Sequence, residues 1–524
     1  MDQFGYTSPG SGSRACNTKI PKWIFAISTV VSLIAVIIVL AAGSATTKQP
    51  APMQKFAQSV RSENILKTLG RLSSIAAFNG NRAVGPGFDA SLDYFSSVLL
   101  DSADCDVTTQ AFGNPAFFED QKPAVSIHSP SLNYSLQTST DVITMTFGGN
   151  GTYDIPATTV FRANAFGCSA TDFEGAKNKI ALVFYNPNEN VDCTAYDKAL
   201  NAYHAGAVAI LIANDASRHR LSASRLRGRG YSPGLYEFVQ VPTLAISYMT
   251  ATTILGLEGP ATVSIKASTR IVIQQTRNLF CTTKGGDPEK LLVFGAHLDS
   301  VPAGPGINDN GSGASTLLEI AKQFKAMKLK VVNKVQFSWW GAEEPGLIGS
   351  RFFVNDTKVN NPAQWNRIKA SLNFDTIASP NGIPQLYNIH LKNEANETFP
   401  QSGVSGSEAI NALFVTRFNQ LNRPYLEIAF EGGSDYYPFV QNGIPSGGLD
   451  GGAADVKTID QAAEFGGLGN FVMDACYHEP CDDLTNVNVD MLMTMADAAA
   501  FTIGSLATEK DLVGFLAKGA SKQD

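Results

Sequence analysis

Charge is scarce in this chain of 524 residues: Asp, Glu, Lys and Arg make up 17% of it, and the formal net charge is −7. Lys and Arg seldom cluster, so the concentrated positive face that binds a polyanion is missing and nucleic acid is excluded as a partner. Low charge here does not signal disorder. Apolar residues reach 44%, and 31 Phe supply bulk for a buried core. The length exceeds what one hydrophobic core supports, which predicts two or three compact units.

One stretch has no charge at all. Residues 23–43 (WIFAISTVVSLIAVIIVLAAG) cover the ~30 Å of hydrocarbon that about 20 helical residues span. Arg14, Lys19 and Lys22 precede the stretch and no basic residue follows until Lys48. That bias places residues 1–22 in the cytosol and everything after the span in the lumen or outside, a single-pass type II membrane protein. Residues 44–52 then read as a stalk. A cleaved signal peptide is the competing reading, because Ala41, Ala42, Gly43, Ser44 and Ala45 suit a cleavage site. The protein then lies on the cell surface, in the vacuole or in the medium.

Cysteine is sparing too. Six of the seven, Cys105, Cys168, Cys193, Cys281, Cys476 and Cys481, follow the apolar span, and an even number in an oxidising compartment suits three disulfides. Sequons at Asn133, Asn150, Asn355 and Asn396 agree with glycosylation on that side.

Apolar positions at helical spacing (Phe56, Val60, Ile65, Leu66, Leu69, Leu72) predict a helix over ~53–77, and residues 91–100 a second; a strand follows around 106–112. Residues 53–135 are read as the N-terminal part of the main domain. From 136 to 265 the texture changes to short β-type runs broken by Gly, Pro and Asn. Within it, IALVFYN, a helix over 196–207 and AGAVAILIAND form a β-α-β unit without acid, base or metal cluster. This segment resembles the protease-associated (PA) domain, a lid or interaction module inserted in peptidases. Cys168 and Cys193 lie inside it and are expected to pair, which leaves Cys105 with Cys281, flanking the insert, by elimination. From 266 to 510 strands and helices alternate, which argues for a helix-covered mixed sheet of the α/β class. Residues 511–524 read as a tail.

Ligands of such sheets bind where the strands end. LLVFGA runs into His297-Leu298-Asp299, KVQFSWWGA into Glu343-Glu344, and SLNF into Asp375; the loop GPGINDNGSG adds Asp309 and CYHEPC adds His478. A single strand-end carboxylate is usually a cap or a solvated loop residue. Gathered together, carboxylates and imidazoles are a donor set that zinc prefers, and burying them without cations costs several kcal/mol per ion.

The motifs GAHLDSVPAGPGINDNGSGAS, FSWWGAEEPGLIGSRFFV, LNFDTI, SDYYPF and CYHEPCDDL resemble, in order and spacing, the M28 family of zinc aminopeptidases. The resemblance covers nearly all of ~280–500 and implies the zinc exopeptidase fold with two zinc ions per subunit. It assigns one ion to His297 and Asp375, the other to Glu344 and His478, with Asp309 bridging. It makes Glu343 the general base, Asp299 the partner that fixes the His297 ring, and Tyr477 the donor to the developing oxyanion. It also implies a cis peptide at Asp309-Asn310, and hence an unglycosylated Asn310. Cys476 and Cys481 are expected to close the loop that carries Tyr477 and His478; the alternative, a Cys metal site, lacks C-x-x-C spacing. Peptides with a free N-terminus are the implied substrates.

Two departures bear on substrate. In related bacterial enzymes an Arg precedes the Ser-Asp pair, whereas Gly433 stands here, so anchoring falls to its backbone. Asp450 replaces an aromatic residue of relatives with an apolar P1 pocket, which suggests a preference for N-terminal Lys or Arg, unless Asp450 faces solvent. A zinc carboxypeptidase of the same superfamily and a metal-free receptor or binding module on the same scaffold are the alternatives. The chain stops soon after a helix at 489–506, without the long C-terminal dimerisation domain of the carboxypeptidases, and the intact ligand set argues against the receptor.

Overall fold

A computed structural model describes residues 52–185, 193–214, 237–259 and 261–519. The expected cytosolic tail, membrane anchor and nearly all of the stalk lie outside the described residues.

The periodic stretch from 53 onward forms two helices, Pro52–Ala57 and Ser62–Asn79, not one. The longer helix buries Ile65, Leu69, Leu72 and Ile75, one face at three- and four-residue spacing, and ends on Gly80 at φ 86°, where a left-handed cap needs no Cβ. The next helix, Pro86–Ser102, starts on a proline that has no N–H to leave unsatisfied, and buries Phe88, Leu92, Phe95 and Leu99. Both helices pack into the largest core with Leu292, Phe294, Phe337 and Trp339 of the sheet. The segment 53–102 is thus part of the same packed body as the catalytic strands.

Eight strands matter for the site: β1 (Cys105–His128), β2 (Thr262–Thr283), β3 (Asp287–His297), β4 (Asn333–Trp340), β5 (Ile368–Asp375), β6 (Gln385–Tyr387), β7 (Leu426–Ile428) and β8 (Ser446–Asp450). Their order is β7-β6-β8-β5-β3-β4-β2, with β1 on the other side of β2. The middle strands β8, β5, β3 and β4 run parallel, whereas β2 is antiparallel to β4 and β6 to β8, with β7 parallel to β6. β3, β4 and β5 read as nearly continuous buried runs, as strands covered on both faces must. Helices Gly313–Ala326, Ile348–Asn360, Gln401–Leu421 and Val489–Thr508 carry out the alternation the sequence predicts. Val489–Thr508 is long and apolar enough to cross a membrane by length and composition, but 67% of its most apolar window is buried inside the protein. It is a core helix.

The PA-like segment continues the same sheet through Gly151–Arg162, Ile180–Phe184, Ala209–Ala213, Thr243–Ile246 and Val142–Thr144. The β-α-β unit is present: Ile180–Phe184 and Ala209–Ala213 pair in parallel, with helix Ala195–His204 between them. The boundary between the two halves runs through β1 and β2, not through loops. Val125, Ile127, Val263 and Ile265 belong to the core under the PA strands, while Leu279 and Cys281 belong to the catalytic core. The C-terminal tail expected from 511 is corrected in part, since Leu512–Lys518 is a helix whose Leu512 and Leu516 complete the main core.

Three disulfides join Cys105 to Cys281, Cys168 to Cys193 and Cys476 to Cys481. Of the sequon asparagines, Asn133, Asn150 and Asn396 are exposed, but the Thr357 hydroxyl residue of the Asn355 sequon is buried.

Candidate active site

Four adjacent parallel strands deliver their C-terminal ends to one edge of the sheet. His297 closes β3, Asp375 closes β5, Asp450 closes β8, and the chain reaches Glu343 and Glu344 just after β4. The registers Trp340↔His297 and Asp375↔Asp450 keep these ends level. Asp309 sits in the turn Ile307–Ser312, directly before helix Gly313–Ala326, and its peptide bond to Asn310 is cis. His478 lies in the loop closed by Cys476 and Cys481, at φ 60°.

The side chains converge. His297 Nε2 is 3.2 Å from Asp309 Oδ1 and 3.3 Å from Asp375 Oδ1. His478 Nε2 is 3.1 Å from Asp309 Oδ2 and 3.1 Å from Glu344 Oε2. Three sets of donor atoms lie within 4.8 Å of one another: the triads His297/Asp309/Asp375 and Asp309/Glu344/His478, and the set His297/Glu343/Glu344. Asp309 belongs to both triads and turns one carboxylate oxygen to each. Glu343 belongs only to the third set, which lacks Asp309, and its Oε2 is 3.9 Å from His297 Nε2.

Buried polar groups behind the triads hold them. The His297 Nδ1 contacts the main-chain oxygen of Asp299 at 3.0 Å, while the Asp299 carboxylate is 3.7 Å away, beyond hydrogen-bond range. That carboxylate instead accepts the amides of Glu343 at 3.1 Å and Glu344 at 3.2 Å. Asp299 therefore fixes the ring through its backbone and the two glutamates through its side chain. Ser434 Oγ donates to Asp375 Oδ2 at 2.5 Å. Asp482 accepts the amides of Asn308 and Asp309 at 2.8 and 3.0 Å. The Asn310 amide group is buried and spent on Phe374 and Gly313, which leaves no room for a glycan.

So many carboxylates in one dry place perturb one another. Burial, with Glu344, Asp435 and Asp375 adding repulsion, pushes Glu343 well above the usual range against the pull of His297. Burial likewise raises Glu344, Asp435 and Asp450 to about 7. Burial opposes the charge on His478, but hydrogen bonds to Asp309 and Glu344 outweigh it and push its pKa up to about 10. For His297, too, burial is outweighed by Asp375 and Glu343, and the ring is held well above its usual value. Protons here do the work that cations do better. Two nitrogen-and-carboxylate triads sharing a bridging oxygen pair are a fitting donor set for zinc.

Residues 278–503 match the family model of peptidase family M28, and residues 155–254 that of the PA domain. The chain is 33% identical over 469 residues to an aminopeptidase of Pseudomonas aeruginosa (strain UCBPP-PA14), spanning 87% of this chain and 82% of that protein. The chain belongs to peptidase family M28. A probable leucine aminopeptidase 2 of Aspergillus fumigatus is 34% identical over 378 residues, or 72% of this chain and 71% of that one. The solved structure of a zinc aminopeptidase from Bacillus subtilis shares the fold at a TM-score of 0.56 and 22% identity, covering 86% of this chain and 96% of that one. This M28 chain is thus a peptide hydrolase with a PA domain ahead of its catalytic strands.

A cavity of about 200 Å³ opens over the triads of this M28 site, lined further by Tyr387, Glu431, Gly433, Tyr436, Asp450, Asp455 and Tyr477. Asp450 stands half-buried on its wall, accepting from Tyr387 Oη at 3.1 Å and from the Gly452 amide at 2.7 Å. A Cβ on Gly433 would meet nothing within 4 Å, so its backbone is open to whatever enters. The Tyr477 ring stacks on His478 with centroids 3.9 Å apart, and burial beside Asp309 and Glu344 keeps its hydroxyl protonated. Sequence reasoning missed Ser434 and Asp482 as supports, although both stand inside motifs it singled out, because their partners are an Asp375 carboxylate oxygen and two backbone amides. It also missed Arg82 and Tyr387, for which no motif gives a signal.

Proposed function

We propose that this M28 peptidase is a two-zinc aminopeptidase that removes single N-terminal residues from peptides, with a preference for basic ones. The observation that carries the reading is the pair of triads sharing Asp309, under a cavity lined by carboxylates and, among its lining residues, by no Lys or Arg. Glu431, Asp450 and Asp455 keep the cavity wall acidic where zinc would neutralise the triads. Such a cavity attracts a positive amino terminus and repels a carboxylate, which favours the aminopeptidase over the carboxypeptidase reading.

His297, Asp309 and Asp375 would hold one zinc, and Asp309, Glu344 and His478 the other; when bound, zinc supplies Lewis-acid polarisation of the scissile carbonyl and water made acidic near neutral pH. Glu343 is the group beside the triads that is free to move a proton. Its amide is pinned to Asp299, so its carboxylate stays at the site while it takes the proton of the attacking water and returns it to the leaving amine. Tyr477, held protonated, donates to the oxygen that becomes negative. The Gly433 backbone orients the entering peptide. Asp450, at the cavity wall and hydrogen-bonded to Tyr387, selects a Lys or Arg side chain at P1.

Three disulfides support an extracellular or lumenal setting for the catalytic body. Residues 23–43 as a signal anchor, with the catalytic body on the far side of the membrane, complete the reading. The test is a panel of peptides with free or acetylated N-termini and free or amidated C-termini, digested with and without chelator and read by product mass, alongside zinc content. Cleavage abolished by acetylation and by chelator, and indifferent to amidation, is expected. Activity on acetylated peptides that amidation abolishes would establish the carboxypeptidase instead.

A further inference from the structure

Arg82 stands in the connection between helices Ser62–Asn79 and Pro86–Ser102, far from the catalytic strands in sequence and outside the residues that match the M28 family model. Its side chain is fully buried. The guanidinium donates to the carbonyl oxygens of Leu298 at 2.5 Å, Pro305 at 2.8 Å and Gly306 at 2.5 Å. Its own amide donates to Ser300 Oγ at 3.0 Å, and its carbonyl accepts the Ser300 amide at 3.3 Å. All five bonds therefore go to residues 298–306, the segment that joins His297 to Asp309. None of these hydrogen bonds goes to a carboxylate, although Asp482, Asp299, Asp309 and Glu344 lie near enough to favour its charge.

A buried cation spent on backbone carbonyls is costly unless the arrangement it enforces is worth more. Here the arrangement is specific. The planar fork holds Leu298, next to the first ligand, and Gly306, three residues before the bridging one, on a single rigid group. Gly306 takes a left-handed conformation at φ 63°, and a side chain there would press on Arg82. The Gly306 carbonyl also accepts the Gly311 amide at 3.0 Å, and the Ile307 amide donates to the Asp482 carbonyl at 3.0 Å. The loop is thus braced on Arg82 from one side and on the Asp482 segment from the other.

We propose that Arg82 is the positioning residue of the zinc site: it sets the 298–306 segment in its final shape before metal binds, so that His297 and Asp309 present their donor atoms at a fixed separation. The inference rests on the metal-site reading, and the two fail separately. Wild-type protein that holds no zinc defeats that reading, whereas the outcomes below bear on Arg82.

The first measurement needs no variant. Amide hydrogen exchange of the chelator-treated full chain is expected to show Ser300 and Ile307 already protected, with little further slowing on zinc addition. Amides of 298–307 that exchange freely until zinc is added would overturn the proposal. The second compares Arg82→Lys and Arg82→Gln by chelator competition. Either variant, when its circular dichroism matches wild type, is expected to bind zinc about 10–100-fold more weakly, the usual loss when support behind a ligand is removed. At saturating zinc, kcat is expected to fall more than KM rises. A purely structural Arg82 lowers the melting temperature and leaves zinc affinity within twofold; that result refutes the role. Should neither variant fold, the exchange result decides.

Discussion

At the scale of single residues, Glu343 and Glu344 make the sharpest test, because they are neighbours with different partners. Glu344 Oε2 is 3.1 Å from His478 Nε2 within a triad that contains Asp309, while Glu343 groups only with His297 and Glu344 and stands outside both triads that share Asp309. Glu343→Gln is expected to keep its zinc and its KM but lose about 10²–10⁴-fold in kcat, the usual worth of a general base. Glu344→Gln is expected to lose zinc itself. Metal analysis of both purified variants beside their kinetics checks this, and equal zinc loss in the two would contradict the division of roles. Asp450 gives a second test. Asp450→Ala is expected to lower the ratio of Lys- to Leu-aminoacyl-coumarin hydrolysis by at least tenfold, about 1.4 kcal/mol of lost discrimination, and a ratio that does not move would remove Asp450 from specificity. His297, Asp309, Glu344, Asp375 and His478 were legible because each sits in a local string whose chemistry is in its side chains. Arg82 was not, since it acts on backbone carbonyls brought to it by folding, and in sequence it is a lone Arg in a loop. The role of the Asp299 carboxylate was half legible for the same reason: its partners are amides, which every residue has.

At the scale of elements, strand ends were read well and strand lengths poorly. Buried parallel strands such as β3 and β5 are uninterrupted apolar runs, so their ends are sharp in the sequence. β1 was expected over a few residues around 106–112, yet it runs 24 residues because β2 pairs with it along nearly its whole length. Pro115 and Pro123 discourage a strand reading, since proline cannot donate to a ladder. Pro123 is absorbed by a register shift between Gln121 and Ala124, a tertiary solution with no local signature. The helix Leu512–Lys518 escaped notice because seven residues carry too little periodicity to separate from a tail. Its burial makes it testable. Leu512→Ala leaves a cavity in the main core and is expected to cost about 2–5 kcal/mol of stability with kcat unchanged. Denaturant unfolding reads the first quantity and peptide hydrolysis the second; a loss under about 0.5 kcal/mol would mean that the helix is not docked.

At the scale of the whole molecule, the candidate site is a store of charge that opposes folding and that bound cations would neutralise. In chelator, Glu344, Asp435, Asp450 and Asp482 are raised to about 7 by burial, from ordinary values near 4. Between those limits the folded protein holds protons that the unfolded chain has released, so stability must fall as pH rises from about 4 to about 7. His478, raised to about 10, extends the decline above its ordinary 6.5, again because the folded form binds the proton more tightly. Asp309 works in the opposite sense: the two imidazoles lower its pKa against the effect of burial, and the stability it confers above about 4 disappears only in stronger acid. Zinc held as proposed would reverse the balance, because metal binds deprotonated ligands and its affinity grows with pH. Melting curves at pH 5, 6.5 and 8, with chelator and with excess zinc, are expected to diverge. The chelated protein should melt lower at each step upward in pH, while the increment from zinc widens from small at pH 5 to largest at pH 8. A chelated protein whose melting temperature holds constant or climbs across that range would mean that the carboxylates and imidazoles do not share one buried pocket in solution.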